Sequence, residues 1–274
     1  MAEIAIAATV SHAPGVTGWP EAAGEQGVRY YAGMARIREA LEAAHPDVII
    51  EIFDDHFTNF YLDNMPAFCV GVGATHVGPA EPEEFLRIPR RTVPGHPDLA
   101  RTLVREGLNS GFDFSVSDRL LLDHGAMVPL HFLTPSMNVP VVPVIVNDVL
   151  EPMPLPRRAY QLGQLIRKVI AGRPKGERVA LVGTGGISHW VGTPEMGRID
   201  KNWDEWFLET AEKGRGKELV ELTPEELGEH GNGAHELRNW MAVYGAIGDQ
   251  KGEITTYEDA MPWFCACGAV LYRM

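Results

Sequence analysis

The chain has 274 residues, 45% of them apolar, enough to bury a substantial core within one α/β domain. With 37 acidic against 24 basic residues the formal charge is -13. A surface that negative repels nucleic acid and anionic membranes, so neither is expected as a partner, and an acidic substrate would need local positive charge in its pocket.

The N-terminal stretch MAEIAIAATV has an early Glu3 and lacks the basic start and cleavage site of a secretory leader. No run approaches the ~18 apolar residues of a membrane helix. Cys69, Cys265 and Cys267 are an odd, sparse set. They argue against a disulfide framework and for a reducing, cytoplasmic setting. Cys265-x-Cys267 lacks the second pair of a zinc site, so buried apolar thiols are the expected reading.

Short β-branched runs bounded by Gly, Pro and Asp read as buried strands: Ile4–Val10, Val48–Phe53, Leu120–Leu122, Val139–Val146 and Val179–Val182. Between them lie helical patterns. Tyr30–Ala44 ends at His45-Pro46, Leu99–Asn109 at Ser110-Gly111, Arg157–Ala171 at Gly172, and Ala234–Ile247 at Gly248. Strands alternating with helices predict a single α/β domain over 1–274, with a mainly parallel central sheet flanked by helices. Two stretches break the rhythm. Residues 62–97 are rich in Pro and Gly, and residues 190–230 are polar, with Thr223-Pro224-Glu225-Glu226 opening a short helix. Both are candidate lids or interface segments.

In an α/β sheet the reactive crevice lies at the carboxyl ends of the strands. Four predicted strands run into a histidine there: His12, His56, His124 and, through Gly183-Thr184-Gly185-Gly186-Ile187-Ser188, His189. A single histidine after a strand is more often a structural hydrogen-bonding residue than a ligand. Four together are not easily ascribed to chance, because strand ends converge. His45, His76, His96, His131, His230 and His235 lack this placement.

An open, hard metal site also wants a carboxylate. Asp55 and Asp123 sit beside histidines, where each is a candidate to orient a ring through its second N–H. Glu236 opens a predicted helix after Gly231-Asn232-Gly233, where a glutamate also suits the helix dipole. The residues alone do not rank Glu236 far above Asp55. Two histidines and a carboxylate suit Fe(II); three histidines suit zinc; the residues supply either. The glycine run 183–186 matches neither GxGxxG nor GxxxxGK[ST], so it is expected to allow close backbone approach and to place His189.

These motifs, in this order, resemble the catalytic subunits of the protocatechuate 4,5-dioxygenase type, the class III extradiol ring-cleaving dioxygenases. The resemblance spans nearly the whole chain. It is carried by Ser11-His12-Ala13-Pro14, Asp55-His56, Asp123-His124-Gly125 with Val128-Pro129-Leu130, Gly183 through His189, and Gly233-Ala234-His235-Glu236. The resemblance implies His12, His56 and Glu236 as Fe(2+) ligands, His189 as acid/base and His124 as a second histidine contacting a substrate hydroxyl. It also implies a small catechol-like substrate, O2 as co-substrate, and either a homo-oligomer or a complex with a small helical subunit. Relatives often carry Asn two residues before the second ligand. Here that residue is Asp54, a change that bears on pocket charge or substrate preference. A carboxylated substrate would need a cationic or amide anchor, and the sequence offers too many Arg and Lys to choose among. The competing readings are a zinc-dependent hydrolase or non-oxidative enzyme on the same scaffold, and a non-catalytic metal-binding relative. Retention of both His124 and His189 speaks against the last.

Overall fold

The computed structural model describes residues 1–274 as a three-layer α/β domain around one large sheet. Ten strands are formed: β1 (Glu3–Val10), β2 (Val48–Asp54), β3 (Phe68–Gly71), β4 (Thr75–Gly78), β5 (Arg91–Pro94), β6 (Ser115–Ser117), β7 (Val141–Val146), β8 (Arg178–Thr184), β9 (Glu253–Ala260) and β10 (Cys265–Arg273). Eight of them form the sheet, in the order β6-β3-β7-β2-β8-β1-β10-β9, while β4 and β5 pair as a separate ribbon. The centre, β7-β2-β8-β1, is parallel, and β10 and β9 extend it antiparallel beyond β1.

The central strands are buried on both faces, which is why they read as continuous apolar runs. Alternate residues of β2 serve opposite layers. Val48, Ile50 and Ile52 join a core with the helices Pro156–Ala171 and Leu237–Ile247. Ile49 and Phe53 face the helices Gly24–Ala44 and His124–Leu133. Glu51 points to that second side with no hydrogen-bond partner for either oxygen, and burial pushes its pKa well above the usual carboxylate value. No helix is long and apolar enough to cross a membrane. All three cysteines are free and buried.

The structure departs from the sequence reading at several places. Leu120–Leu122 is not a strand of the sheet; Leu121 makes one isolated bridge to Val77. His124 therefore does not follow a strand but opens the His124–Leu133 helix, capped by Asp123 through Gly125 N at 2.9 Å. Residues 62–97 contain β3, the β4–β5 ribbon and a short helix, Glu83–Leu86. Residues 190–230 are largely helical, including Lys201–Glu212 and Pro224–Glu229, the latter with its Thr223/Glu226 capping box formed. Strands β9 and β10 were not expected from the sequence: β9 mixes acidic and β-branched residues, and β10 is a buried run rich in small apolar residues.

Candidate active site

Four histidines and one glutamate meet where the parallel strands end. His12 follows β1, His56 follows β2, and His189 follows the loop after β8. His12 Nε2 lies 3.1 Å from Glu236 Oε2, while His56 Nε2 and His189 Nε2 lie 3.9 and 3.3 Å from Glu236 Oε1. The His56 and His124 rings are 3.9 Å apart between centroids, and the His12 and His124 rings 5.5 Å. All five residues named from the sequence are thus brought together.

Each histidine has its Nδ1 engaged away from this centre. The His56 amide and Nδ1 both face Asp123 Oδ2, at 2.8 and 3.2 Å. The His124 amide and Nδ1 both face Glu81 Oε1, at 3.0 and 2.6 Å. His189 Nδ1 meets the Ile187 carbonyl at 3.1 Å. His12 Nδ1 lies 3.0 Å from Thr184 Oγ1. Pro129 sits inside the His124–Leu133 helix and supplies no N–H for the Gly125 carbonyl four residues back. The Thr184 hydroxyl donates to that carbonyl at 2.8 Å. Its single proton is committed there, so it accepts from His12 Nδ1–H, leaving Nε2 with its lone pair toward the centre.

Glu236 ends a short 3-10 turn, Asn232–Glu236, and abuts the fully buried Leu237–Ile247 helix. Gly186 N donates to its Oε2 at 2.6 Å. Gly231 has φ +113, and a Cβ at Gly233 would stand 2.1 Å from His189 Nε2, so this entry can only be glycine-rich if it is to pack on His189. The glycine run after β8 brings the backbone against Glu236 and then sets His189. Ser188 fixes the loop, its amide and hydroxyl each donating to the buried Asp204 at 2.9 Å. Tyr257 OH donates to the same carboxylate, whose pKa burial raises to about 6.

The sequence reading singled out Asp54 only as a departure from relatives, and gave no role to Glu81, Thr184 or Asp204. Asp54 is the most consequential. Its Oδ2 is 3.1 Å from His56 Nε2, its Oδ1 4.0 Å from His12 Nε2, and Asn239 Nδ2 donates to Oδ1 at 3.2 Å. Despite that proximity, Oδ2 has no partner in hydrogen-bond geometry. Burial raises the Asp54 pKa to about 6. Asp55 turns away, accepting from the amides of Thr58, Asn59 and Phe60, and orients no ring.

Electrostatics follow from crowding carboxylates and imidazoles out of water. Burial works to raise the Glu236 pKa, but His189 and His12 hold it well below the usual range. Burial opposes charge on His56, yet Asp54 and Asp123 raise its pKa well above normal. His124 is lowered, by burial and then by His56. His12, Asp54, His56 and Glu236 present ligand atoms within 4.8 Å of one another, as do His12, His56 and His124. Imidazole Nε2 atoms, two carboxylates and an orphaned buried oxygen are a donor set that fits a divalent cation.

The cluster forms the floor of a cavity of about 330 Å³. Trp19, Phe85, Trp190, Met196, Trp263 and Phe264 wall it, so both irregular segments contribute. None of the other six histidines lines it. A larger hollow of about 510 Å³ beside Arg90 and Arg119 holds none of the clustered groups.

An α/β sheet whose strand ends carry a buried His/carboxylate cluster under an aromatic cavity defines a metalloenzyme-like pocket for a small planar molecule. Residues 6–271 match the family described as the catalytic LigB subunit of aromatic ring-opening dioxygenase, and the chain belongs to that family. The 2,3-dihydroxyphenylpropionate/2,3-dihydroxicinnamic acid 1,2-dioxygenases of Escherichia coli K12 and of Escherichia coli O157:H7 are similar to it. Each is 28% identical over 313 residues, covering 96% of this chain and 97% of the relative. The crystal structure of an uncharacterized protein from Escherichia coli K12 has the same fold, with a TM-score of 0.62 at 16% identity, covering 97% of this chain and 99% of that one.

Proposed function

We propose that the chain, as one catalytic domain, is an Fe(II)-dependent extradiol dioxygenase of the protocatechuate 4,5-dioxygenase type. It opens a catechol-like or aminophenol ring next to its adjacent heteroatoms, with both atoms of O2 incorporated. His12, His56 and Glu236 are assigned as metal ligands, and His189 and His124 as proton-handling groups. The observation that carries this reading is the convergence of three histidine Nε2 atoms within 3.9 Å of one carboxylate, while every clustered Nδ1 is held elsewhere. Family membership supplies the ring-opening chemistry.

His12, His56 and Glu236 would hold Fe(II), which would acidify substrate hydroxyls and bring them together with O2. The chain's residues do the rest. His124, with Nδ1 fixed on Glu81, offers Nε2 to a substrate hydroxyl and accepts its proton. His189, with Nδ1 on the Ile187 carbonyl, presents Nε2 to the cavity, where it would hold a proton and donate it during ring opening. Aromatic walls orient the ring and exclude water. A small aromatic substrate and O2 are the assigned partners, with self-association or a small helical subunit as the proposed assembly.

Metal analysis on anaerobically prepared protein, paired with an O2-electrode screen of vicinal diols and aminophenols in Fe(II) and ascorbate, tests the reading. Stoichiometric iron with diol-dependent O2 uptake is expected, and His12→Ala is expected to lose both. Tightly bound zinc with no O2 uptake would sink it in favour of a hydrolytic site.

A further inference from the structure

The cavity walls contain no lysine or arginine. The indole N–H groups that line it are partly committed as well. Trp19 Nε1 donates to the Pro262 carbonyl at 2.9 Å, and Trp263 Nε1 to the Trp19 carbonyl at 3.3 Å. The Gly186 amide at the floor is already held by Glu236. The neighbouring cations are engaged outside: Arg198 lies over the Trp190 ring at 4.6 Å, and Arg87 pairs with Glu21 at 2.9 Å. A carboxylate on the substrate ring would lose water and meet no lysine or arginine in the walls, where only the Trp190 indole N–H is uncommitted, so its desolvation is poorly offset.

The rim continues the same character outward. Phe85 is 44% exposed, Met196 48% and Phe264 38%, an apolar path from the floor to solvent. Exposed aromatic and thioether groups at a pocket mouth favour an apolar substituent on the bound ring.

We propose that the substrate is a vicinal diol with an uncharged, apolar ring substituent, an alkyl- or aryl-catechol, and that catechol carboxylic acids are rejected. The inference rests on the dioxygenase reading for the diol and on the walls for the substituent. It sets this chain apart from the Escherichia coli relatives, whose names specify acids.

Three wall tryptophans give a binding signal independent of turnover. Under anaerobic conditions the Fe(II)-loaded protein is titrated with matched pairs by tryptophan fluorescence: 4-methylcatechol against protocatechuate, and 3-propylcatechol against 2,3-dihydroxyphenylpropionate. The neutral member of each pair is expected to bind roughly 100-fold tighter or more. Met196→Arg, which adds a cation at the rim, is expected to narrow that ratio by about tenfold. An acid that binds as tightly as its neutral partner overturns the inference, most directly if Arg198→Ala then abolishes the acid's binding. Preferential binding of neutral diols without any O2 uptake on admission of air supports the inference about the walls and defeats the dioxygenase reading, so the two failures are distinct.

Discussion

On the floor of the cavity, every histidine has one ring nitrogen tied to a named partner and the other directed at a common centre. On the walls, Phe85, Met196 and Phe264 make no polar commitments and stand partly in solvent. The floor is preorganised at the level of single tautomers; the walls are shaped only by apolar packing. The difference separates two kinds of information. The floor limits which chemistry can occur, because proton positions and ligand atoms are fixed before a substrate arrives. The walls limit which molecule is held, through size and absence of charge, and tolerate substitution more readily.

That separation can be broken by mutation. The largest effect is expected at the floor. His189→Phe keeps the cavity volume and the metal donors but removes the proton-bearing nitrogen. It should retain iron while kcat falls by about 10²–10⁴-fold in O2-uptake assays. Unchanged turnover would mean that His189 is a wall residue and not an acid/base.

A second effect lies beneath the floor, at Glu51. Its raised pKa means that the folded state keeps a proton the unfolded state releases above the ordinary value of 4.5. Its stability contribution is present below that value and is lost as pH rises. Glu51→Gln removes this dependence. The variant should match the wild type near pH 4 and exceed it at pH 7 by up to about 3 kcal/mol in urea unfolding. A parallel pH dependence in both proteins would place a hidden partner on Glu51.

Thr184 sharpens the tautomer argument. Thr184→Val leaves the Gly125 carbonyl and His12 Nδ1 without their shared hydroxyl, and iron affinity should fall by about 10–100-fold, with Thr184→Ser restoring most of it. The smallest effect belongs to the walls. Phe85→Ala should raise KM by roughly tenfold with kcat little changed, because it removes apolar contact made equally before and during reaction. A fall in kcat instead would give the rim a part in chemistry.

The same contrast governs what was legible in the sequence. β1, β2 and β8 are strongly apolar and β-branched, so their ends, and with them His12, His56 and the approach to His189, could be located from pattern alone. His124 was found for the wrong physical reason. It stands at a helix N-terminus next to a capping aspartate, and Leu120–Leu122 lies outside the sheet. Strand and cap signals look alike when the apolar run is three residues long. Glu236 and Asp55 could not be ranked without the family motifs, since only tertiary structure shows Asp55 turned into its own loop. Thr184 and Asp54 lie at the last positions of β8 and β2, beyond the apolar runs that end at Val182 and Phe53, so pattern alone gave them no role in the cluster. The walls had no such signal. Trp19, Phe85 and Trp263 come from a turn, a short helix and a 3-10 segment, none long enough to carry a period.

The position of β1 has a consequence for how the molecule comes into being. This strand, which carries His12, is flanked by β8 on one side and β10 on the other, with Ile6 opposite Arg273 and Glu3 opposite Arg178. β1 therefore finds its neighbours only after the more than 160 residues that separate it from β8 have been made. Such long-range pairing closes slowly and leaves an apolar edge waiting in the nascent chain. Assembly of the His/carboxylate cluster, which needs residue 12 beside residue 236, is accordingly a late event, and metal uptake at the proposed site would report the completion of folding rather than precede it.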